Sequence, residues 1–269
     1  MSDASDPAPP PAKPRGFRLF RTVGALMLRE MSTTYGRNSI GYLTAIIEPL
    51  GGIILLTFVF TLAFRTPPLG DNFPLFYATG LIPLGLFTMI ASRMGMAIKF
   101  SRNLLSYPGV TIFDAILARC LLAFLTQAMV AYLIFGAILV LYDLDPRIAY
   151  EWIILALLLV TLVGFGVGTV NAYFFVRFPI YETIWSVVTR PLFLISGVII
   201  LYAEVPMPYR EYLWWNPLIH ATGMMRRAFY PVYDAPYISV TYMAAFGLLT
   251  AAVGLVLLLR NYRALLETF

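Results

Sequence analysis

The chain has 269 residues, 60% of them hydrophobic and only 12% charged, with 19 Lys and Arg against 14 Asp and Glu. A soluble domain carries about 25% charged residues, so this chain cannot cover its own surface with polar groups and reads as an integral membrane protein. Its net charge of +5 reports topology and contact with anionic headgroups rather than nucleic acid, and its single His and single Cys (Cys120) exclude a zinc or copper site and an intrachain disulfide.

Residues 1–16 combine small, polar and Pro residues with nothing to bury, which predicts a disordered, Pro-rich tail; they lack the apolar stretch of a signal peptide. Over 17–34 the helical period separates Phe17, Phe20, Val23, Met27 and Met31 from Arg18, Arg21, Arg29, Ser32 and Thr33. Arginines on the polar face of such a segment describe an amphipathic helix lying in the membrane interface. A spanning helix needs about 20 mostly apolar residues. Within a transmembrane domain over 40–269, six runs answer to that: 43–64, 75–92, 120–141, 152–175, 184–203 and 238–259. The fifth contains Arg190 and Pro191 and is carried by its apolar second half. Placing the N-terminus in the cytoplasm puts 14 of the 19 Lys and Arg inside and leaves Arg65, Arg147, Arg210, Arg226 and Arg227 outside, so both termini are expected in the cytoplasm of a multi-pass inner-membrane protein.

Two connections exceed simple turns. The stretch from Arg93 to Arg119 is polar enough to leave the membrane while holding helical residues, and it can dock a cytosolic partner. The outer stretch 204–236 has five prolines (206, 208, 217, 231 and 236), the pair Trp214-Trp215, and Asn216-Pro217 as a helix start with Asn as N-cap and Pro in the first turn. It predicts two short re-entrant helices anchored by tryptophans at headgroup depth. Lys13 and Lys99 stand in no Gly-x-x-x-x-Gly-Lys setting, so any ATP that drives the protein is hydrolysed by another polypeptide. No internal repeat or matched pair of broken helices points to an ion-coupled secondary transporter.

Several residues admit two readings each. Glu48, about five residues into the first span, lines a polar pathway or pairs with a base such as Arg190; otherwise it sits hydrated at the inner boundary. Arg190 faces a water-filled path that attracts an acidic substrate, or it snorkels to headgroups. Tyr173, Phe174, Phe175, Phe178, Tyr181 and Trp185 are rings on which sugars can stack, or an ordinary aromatic belt. Gly164, Gly166 and Gly168, with Gly51 and Gly52, read as close helix contacts. His220, Arg226 and Arg227 touch an emerging anionic polymer or lie on a solvated helix face.

The order of an amphipathic first helix, Ser39-Ile40-Gly41-Tyr42-Leu43 with Glu48-Pro49-Leu50, Gly80-Leu81-Ile82-Pro83, Asn103-Leu104-Leu105 and Pro108 resembles the ABC-2 type permeases. Arg177-Phe178, Pro191-Leu192-Phe193, Ser196-Gly197, Asn216-Pro217 and His220 before Arg226-Arg227 are similar to the KpsM-type permeases of Gram-negative capsular polysaccharide export. Thr44 departs from the aromatic that the family commonly has there. The resemblance, over about residues 17–265, implies an all-α polytopic fold of six spans and a homodimer. It implies two copies of a cytosolic ABC ATPase docked on a coupling helix within 93–108, and a lipid-linked acidic polysaccharide as substrate. A periplasmic co-polymerase or adaptor and an outer-membrane export protein would continue the conduit.

On that reading Arg18, Arg21 and Arg29 bind the lipid-anchor headgroup, and Tyr42, Glu48, Tyr173, Phe174, Tyr181, Trp185 and Arg190 line the channel. Lys99, Arg102, Asn103, Leu104 and Tyr107 couple to the ATPase, while Trp214, Trp215, His220, Arg226 and Arg227 form a periplasmic gate. The chain itself is expected to hold no metal or cofactor, ATP-Mg residing on the partner. The competing readings are an ABC-2 exporter of another cargo, a membrane scaffold, or an intramembrane enzyme, which would need clustered acid, base or metal ligands at one depth.

Overall fold

A computed structural model of the chain describes residues 15–34, 40–105, 111–144 and 146–267, and eleven α-helices are found among them with no strand. In chain order they are α1 (Arg15–Thr34), α2 (Ile40–Ala63), α3 (Phe73–Gly95), α4 (Ala97–Leu105), α5 (Ile112–Leu141), α6 (Tyr150–Arg177), α7 (Pro179–Ile195), α8 (Tyr209–Trp214), α9 (Pro217–Phe229), α10 (Val240–Arg260) and α11 (Tyr262–Glu267). Most of the expected 1–16 tail lies outside the described residues, and α1 starts at Arg15, two residues before the expected helix.

Among the described residues five helices are long and apolar enough to cross a membrane: α2 from Leu43, α3, α5, α6 and α10. The run expected over 184–203 behaves differently. Its helix, α7, begins at Pro179, where Pro needs no amide partner, and stops at Ile195 after 17 residues. Ser196 ends it, Gly197 turns in the left-handed region at φ +73°, and the chain then passes as irregular backbone to a single 3-10 turn at Tyr202–Glu204. Gly80 of α3 lets this segment in, since a Cβ there would meet the Val198 backbone at 2.9 Å. The third span also begins earlier than expected. Thr111 and Asp114 form a capping box, with the Thr111 hydroxyl accepting from the Asp114 amide (3.2 Å) and the Asp114 carboxylate from the Thr111 amide (2.9 Å), so helix extends back to Ile112 and takes Arg119 with it.

The centre of the bundle is α3, with 72% of its apolar window buried against 11% for α2. α6 packs on α3 with one face and on α10 with the other. The expected close contacts are made by α6: a Cβ on Gly166 would strike the Gly247 carbonyl of α10 at 2.5 Å, and one on Gly168 would strike Met94 of α3 at 2.8 Å. In the first span, a Cβ on Gly52 would touch Leu81 of α3 at 3.4 Å, an ordinary van der Waals contact, whereas one on Gly51 would meet nothing within 4 Å. α5 lies on another side of α3, α1 against α5, and α9 is enclosed by α3 and α6. The C-terminal end of α3 meets α4 and its N-terminal end meets α9; these are the two ends of the bundle at which polar residues gather.

Candidate functional site

At the α4 end, α1, α3, α4 and α5 bring basic residues together. Arg119, buried two turns into α5, donates from Nη2 to the Glu30 carboxylate of α1 (2.8 Å) and from Nη1 to the Arg93 carbonyl (3.2 Å), with its guanidinium 5.0 Å from the Phe100 ring centroid. Its Nε has no partner. Arg29, Glu30, Arg93, Phe100 and Arg119 line one cavity of about 600 Å³ there. A second, of about 590 Å³, lies between α2, α3 and α5 and is lined by Glu48, Gln127 and Thr88 together with Ser92 and Arg93, which both cavities share.

Of the residues predicted for headgroup binding, Arg29 lines the first cavity and Arg21 is exposed on α1. Arg18 lies on α1 with its side chain outside those described. Glu48 is exposed toward the second cavity rather than buried, and no ion pair joins it to Arg190, which is exposed on α7; that pairing is not made. Tyr42 is on the first turn of α2, its side chain outside those described.

Of the coupling residues, Lys99 on α4 pairs with Glu182 on α7 (Nζ to Oε2, 2.6 Å). Arg102, Asn103 and Leu104 lie on the same helix with side chains outside those described, and Tyr107 lies outside the described residues. Two further polar contacts hold α7, which buries no residue fully: Trp185 Nε1 donates to Ser92 Oγ (3.4 Å), and the Tyr181 hydroxyl donates to Asn171 Oδ1 (3.3 Å), while Asn171 Nδ2 reaches the Ala91 carbonyl (3.4 Å). The aromatic cluster forms in part. Phe174 lies 5.0 Å from Tyr181, 5.3 Å from Tyr173 and 6.0 Å from Phe178 between ring centroids. Trp185 stands apart from it, against Phe87.

At the α9 end the two short helices exist, and Asn216 caps α9 as expected, its Oδ1 accepting from the Leu218 amide (3.0 Å) ahead of Pro217. The solvated-face reading fails here. His220 is wholly buried and Arg226 is 1% exposed, because α9 is inserted between α3 and α6 instead of lying on a surface. Arg226 stacks over the Phe76 ring (4.3 Å) and donates to the Val198 carbonyl (3.2 Å). Arg227, half-buried, covers the Trp152 ring (4.3 Å). His220 Nδ1 accepts from the Ser239 amide (3.2 Å), so its Nε2 carries the proton that faces the Trp214 carbonyl (2.9 Å). Burial holds this imidazole below the ordinary histidine range, and burial likewise raises the Tyr230 and Tyr237 hydroxyls above theirs. Trp214 is half-buried and donates to the Tyr237 carbonyl (3.1 Å), whereas Trp215 is exposed. The five residues named for a gate are thus brought to one end of the fold.

Sequence reasoning missed Glu30, Arg93, Phe100, Arg119, Gln127 and Glu182. Arg119 had a local signal, a charge just after the Thr111-x-x-Asp114 box. Glu182 had none, since its partner Lys99 is 83 residues away.

A family model described as ABC-2 type transporter matches residues 21–230. The chain is 32% identical to the polysialic acid transport protein KpsM of Escherichia coli, over 94% of this chain and 98% of that protein. It is 27% identical to the capsule polysaccharide export inner-membrane protein CtrC of Neisseria meningitidis serogroup A, over 89% of this chain and 91% of that one. With the capsule polysaccharide export inner-membrane protein BexB of Haemophilus influenzae it shares 28% identity, over 88% and 89% respectively.

Proposed function

The chain belongs to the ABC-2 type transporter family, and from that premise we propose that it is the permease through which a lipid-linked acidic capsular polysaccharide leaves the cytoplasm, driven by ATP hydrolysed on a separate subunit. The observation that carries this reading is likeness along nearly the whole chain to inner-membrane proteins named for capsule polysaccharide export. Two copies of the permease assemble with two copies of the cytosolic ATPase. The apolar faces of α2 and α7, left uncovered by the single chain, support that pairing. This chain holds no cofactor of its own, and ATP-Mg sits on the partner.

The α4 end is the cytoplasmic one, with both termini, and α4 receives the ATPase. Its Lys99 bridge to Glu182 carries motion of α4 into α7, whose exposed polar side chains, Arg190 among them, line the polymer path beside Tyr173, Phe174, Tyr181 and Trp185. Arg18, Arg21 and Arg29 attract the anionic anchor, and α8 and α9 gate the exit. There a periplasmic adaptor and an outer-membrane export protein take over.

The test reconstitutes the chain with its ATPase in liposomes and compares ATP turnover with and without a lipid-anchored acidic capsular oligosaccharide. Stimulation by the lipid-linked sugar and not by its lipid-free form is the expected result. Failure to pair stably with any ABC ATPase would overturn the reading.

A further inference from the structure

The α9 end of α7 is held by a neighbouring helix. α7 stops at Ile195, and the Ser196, Gly197 and Val198 that follow it are buried yet irregular. Backbone of this kind persists inside a membrane only where protein satisfies its polar groups. Three side chains of α9 and its cap do so. Asn216 Nδ2 donates to the Ile195 carbonyl (2.9 Å) and to Ser196 Oγ (3.2 Å). The Thr222 hydroxyl lies 3.0 Å from the Ser196 carbonyl and 3.0 Å from the Ile219 carbonyl of its own helix, and its proton is shared between them. Arg226 Nη2 donates to the Val198 carbonyl (3.2 Å), while Phe76 of α3 covers the guanidinium (4.3 Å). No carboxylate pairs with Arg226 among the described residues, so its buried charge rests on that ring and on carbonyls beyond the negative end of the α7 dipole. The last four carbonyls of a helix have no partner of their own, so these contacts cap α7 from another element.

From this ladder of donors we infer that Asn216, Thr222 and Arg226 are positioning residues for export: they fasten α9 to the end of α7, so that the two move as one body. The opposite end of α7 is fastened to α4 by Lys99–Glu182. Displacement of α4 therefore reaches α9 through a helix held by polar contacts at both ends. The inference rests on the export reading, in which α7 borders the polymer path, and extends it from the coupling helix to the exit.

The experiment takes two readouts from the full chain in a Cys120→Ser background. The first follows the reaction of N-ethylmaleimide with Val198→Cys, a position wholly buried in the fold. Thr222→Val removes the hydroxyl without changing the outline of the side chain. Asn216→Asp keeps the oxygen that caps α9 and loses the donor to Ile195. Each is expected to speed labelling about tenfold, the loss of one buried hydrogen bond, whereas Thr222→Ser, which keeps the hydroxyl, should react like the parent. The second readout is ATP turnover with the ATPase in liposomes, as the ratio of the rate with lipid-anchored acidic capsular oligosaccharide to the rate without it. Thr222→Val and Asn216→Asp should lower that ratio by about fivefold or more, and Thr222→Ser should keep it. Unchanged labelling in both variants would overturn the fastening of α9 to α7. Faster labelling with the ratio kept would reduce the contacts to a structural cap and overturn the positioning role. Thr222→Ser behaving like Thr222→Val would remove the hydrogen bond as the cause. Absence of stimulation in the parent would overturn the export reading and the role in transport with it, while labelling still decides the contact, so the two failures are distinguishable.

Discussion

His220 and Arg226 lie on one helix of 13 residues, and their surroundings decide what each can do. The imidazole is fixed as the neutral Nε2–H tautomer, because a proton on Nδ1 would point at the Ser239 amide that now donates to it. In the unfolded chain the ring gains its proton around its ordinary value of 6.5, whereas in the fold it does so only at lower pH. Over that window the unfolded state binds more protons, so stability falls as pH drops below about 6.5 and is fully present above it. Thermal unfolding of the purified chain across this range should show the decline, and His220→Asn should flatten it; an equal slope in the variant would show that other groups set it. Arg226 and Arg227 illustrate a limit of sequence reading. Neighbours on a helix point about 100° apart, and the packing of α3 and α6 alone decides that the first enters the core over Phe76 while the second stays half-buried over Trp152.

Among the elements, α7 is held to its neighbours by polar contacts. It is tied by Lys99–Glu182 to α4 and by Trp185–Ser92 to α3, and as a partly exposed pair the ion bridge adds at most about 1 kcal/mol to stability. Its proposed value is in transmission. Lys99→Glu and Glu182→Lys should each lower substrate-stimulated ATP turnover of the reconstituted complex by about fivefold or more with melting temperature unchanged. The double exchange should restore turnover, and failure to restore it would remove the bridge from the coupling path. The α6–α10 contact makes a different kind of claim. Gly166→Ala should cost about 1–3 kcal/mol through overpacking against the Gly247 carbonyl. Gly136→Ala, with nothing within 4 Å of a Cβ, should be neutral or stabilising by about 0.5–1 kcal/mol. Similar melting shifts for both variants would contradict the packing. The beginnings and ends of these helices were partly legible: Thr111-x-x-Asp114 marks the start of α5 and Ser196-Gly197 the end of α7, signals that outweigh the apolar runs around them.

At the scale of the whole molecule, polar residues separate to the two ends of a bundle whose outer helices stay apolar. That arrangement sets a test of topology in a Cys120→Ser background. Cysteine at Val232, 95% exposed at the α9 end, should react with a membrane-impermeant maleimide in cells with a permeabilised outer membrane. Cysteine at Phe100, 63% exposed on α4, should react only after the inner membrane is opened. The reverse pattern would invert the proposed orientation.

Run length and charge bias were enough, without any fold, to mark a polytopic helical membrane protein with an amphipathic first helix and to place five of its spans. These properties follow from composition and from the 30 Å of hydrocarbon that a helix must cross, and both are readable one segment at a time. The tertiary structure decided what depends on segments far apart in the chain. It put Glu30 on Arg119 across 89 residues and Lys99 on Glu182 across 83, and it buried His220 and Arg226 within the bundle. Apolar spans have little helical moment, so a single sequence gives each of them no preferred face; the close approach of α3, α6 and α10 at glycines supplies that choice and so determines which polar groups meet.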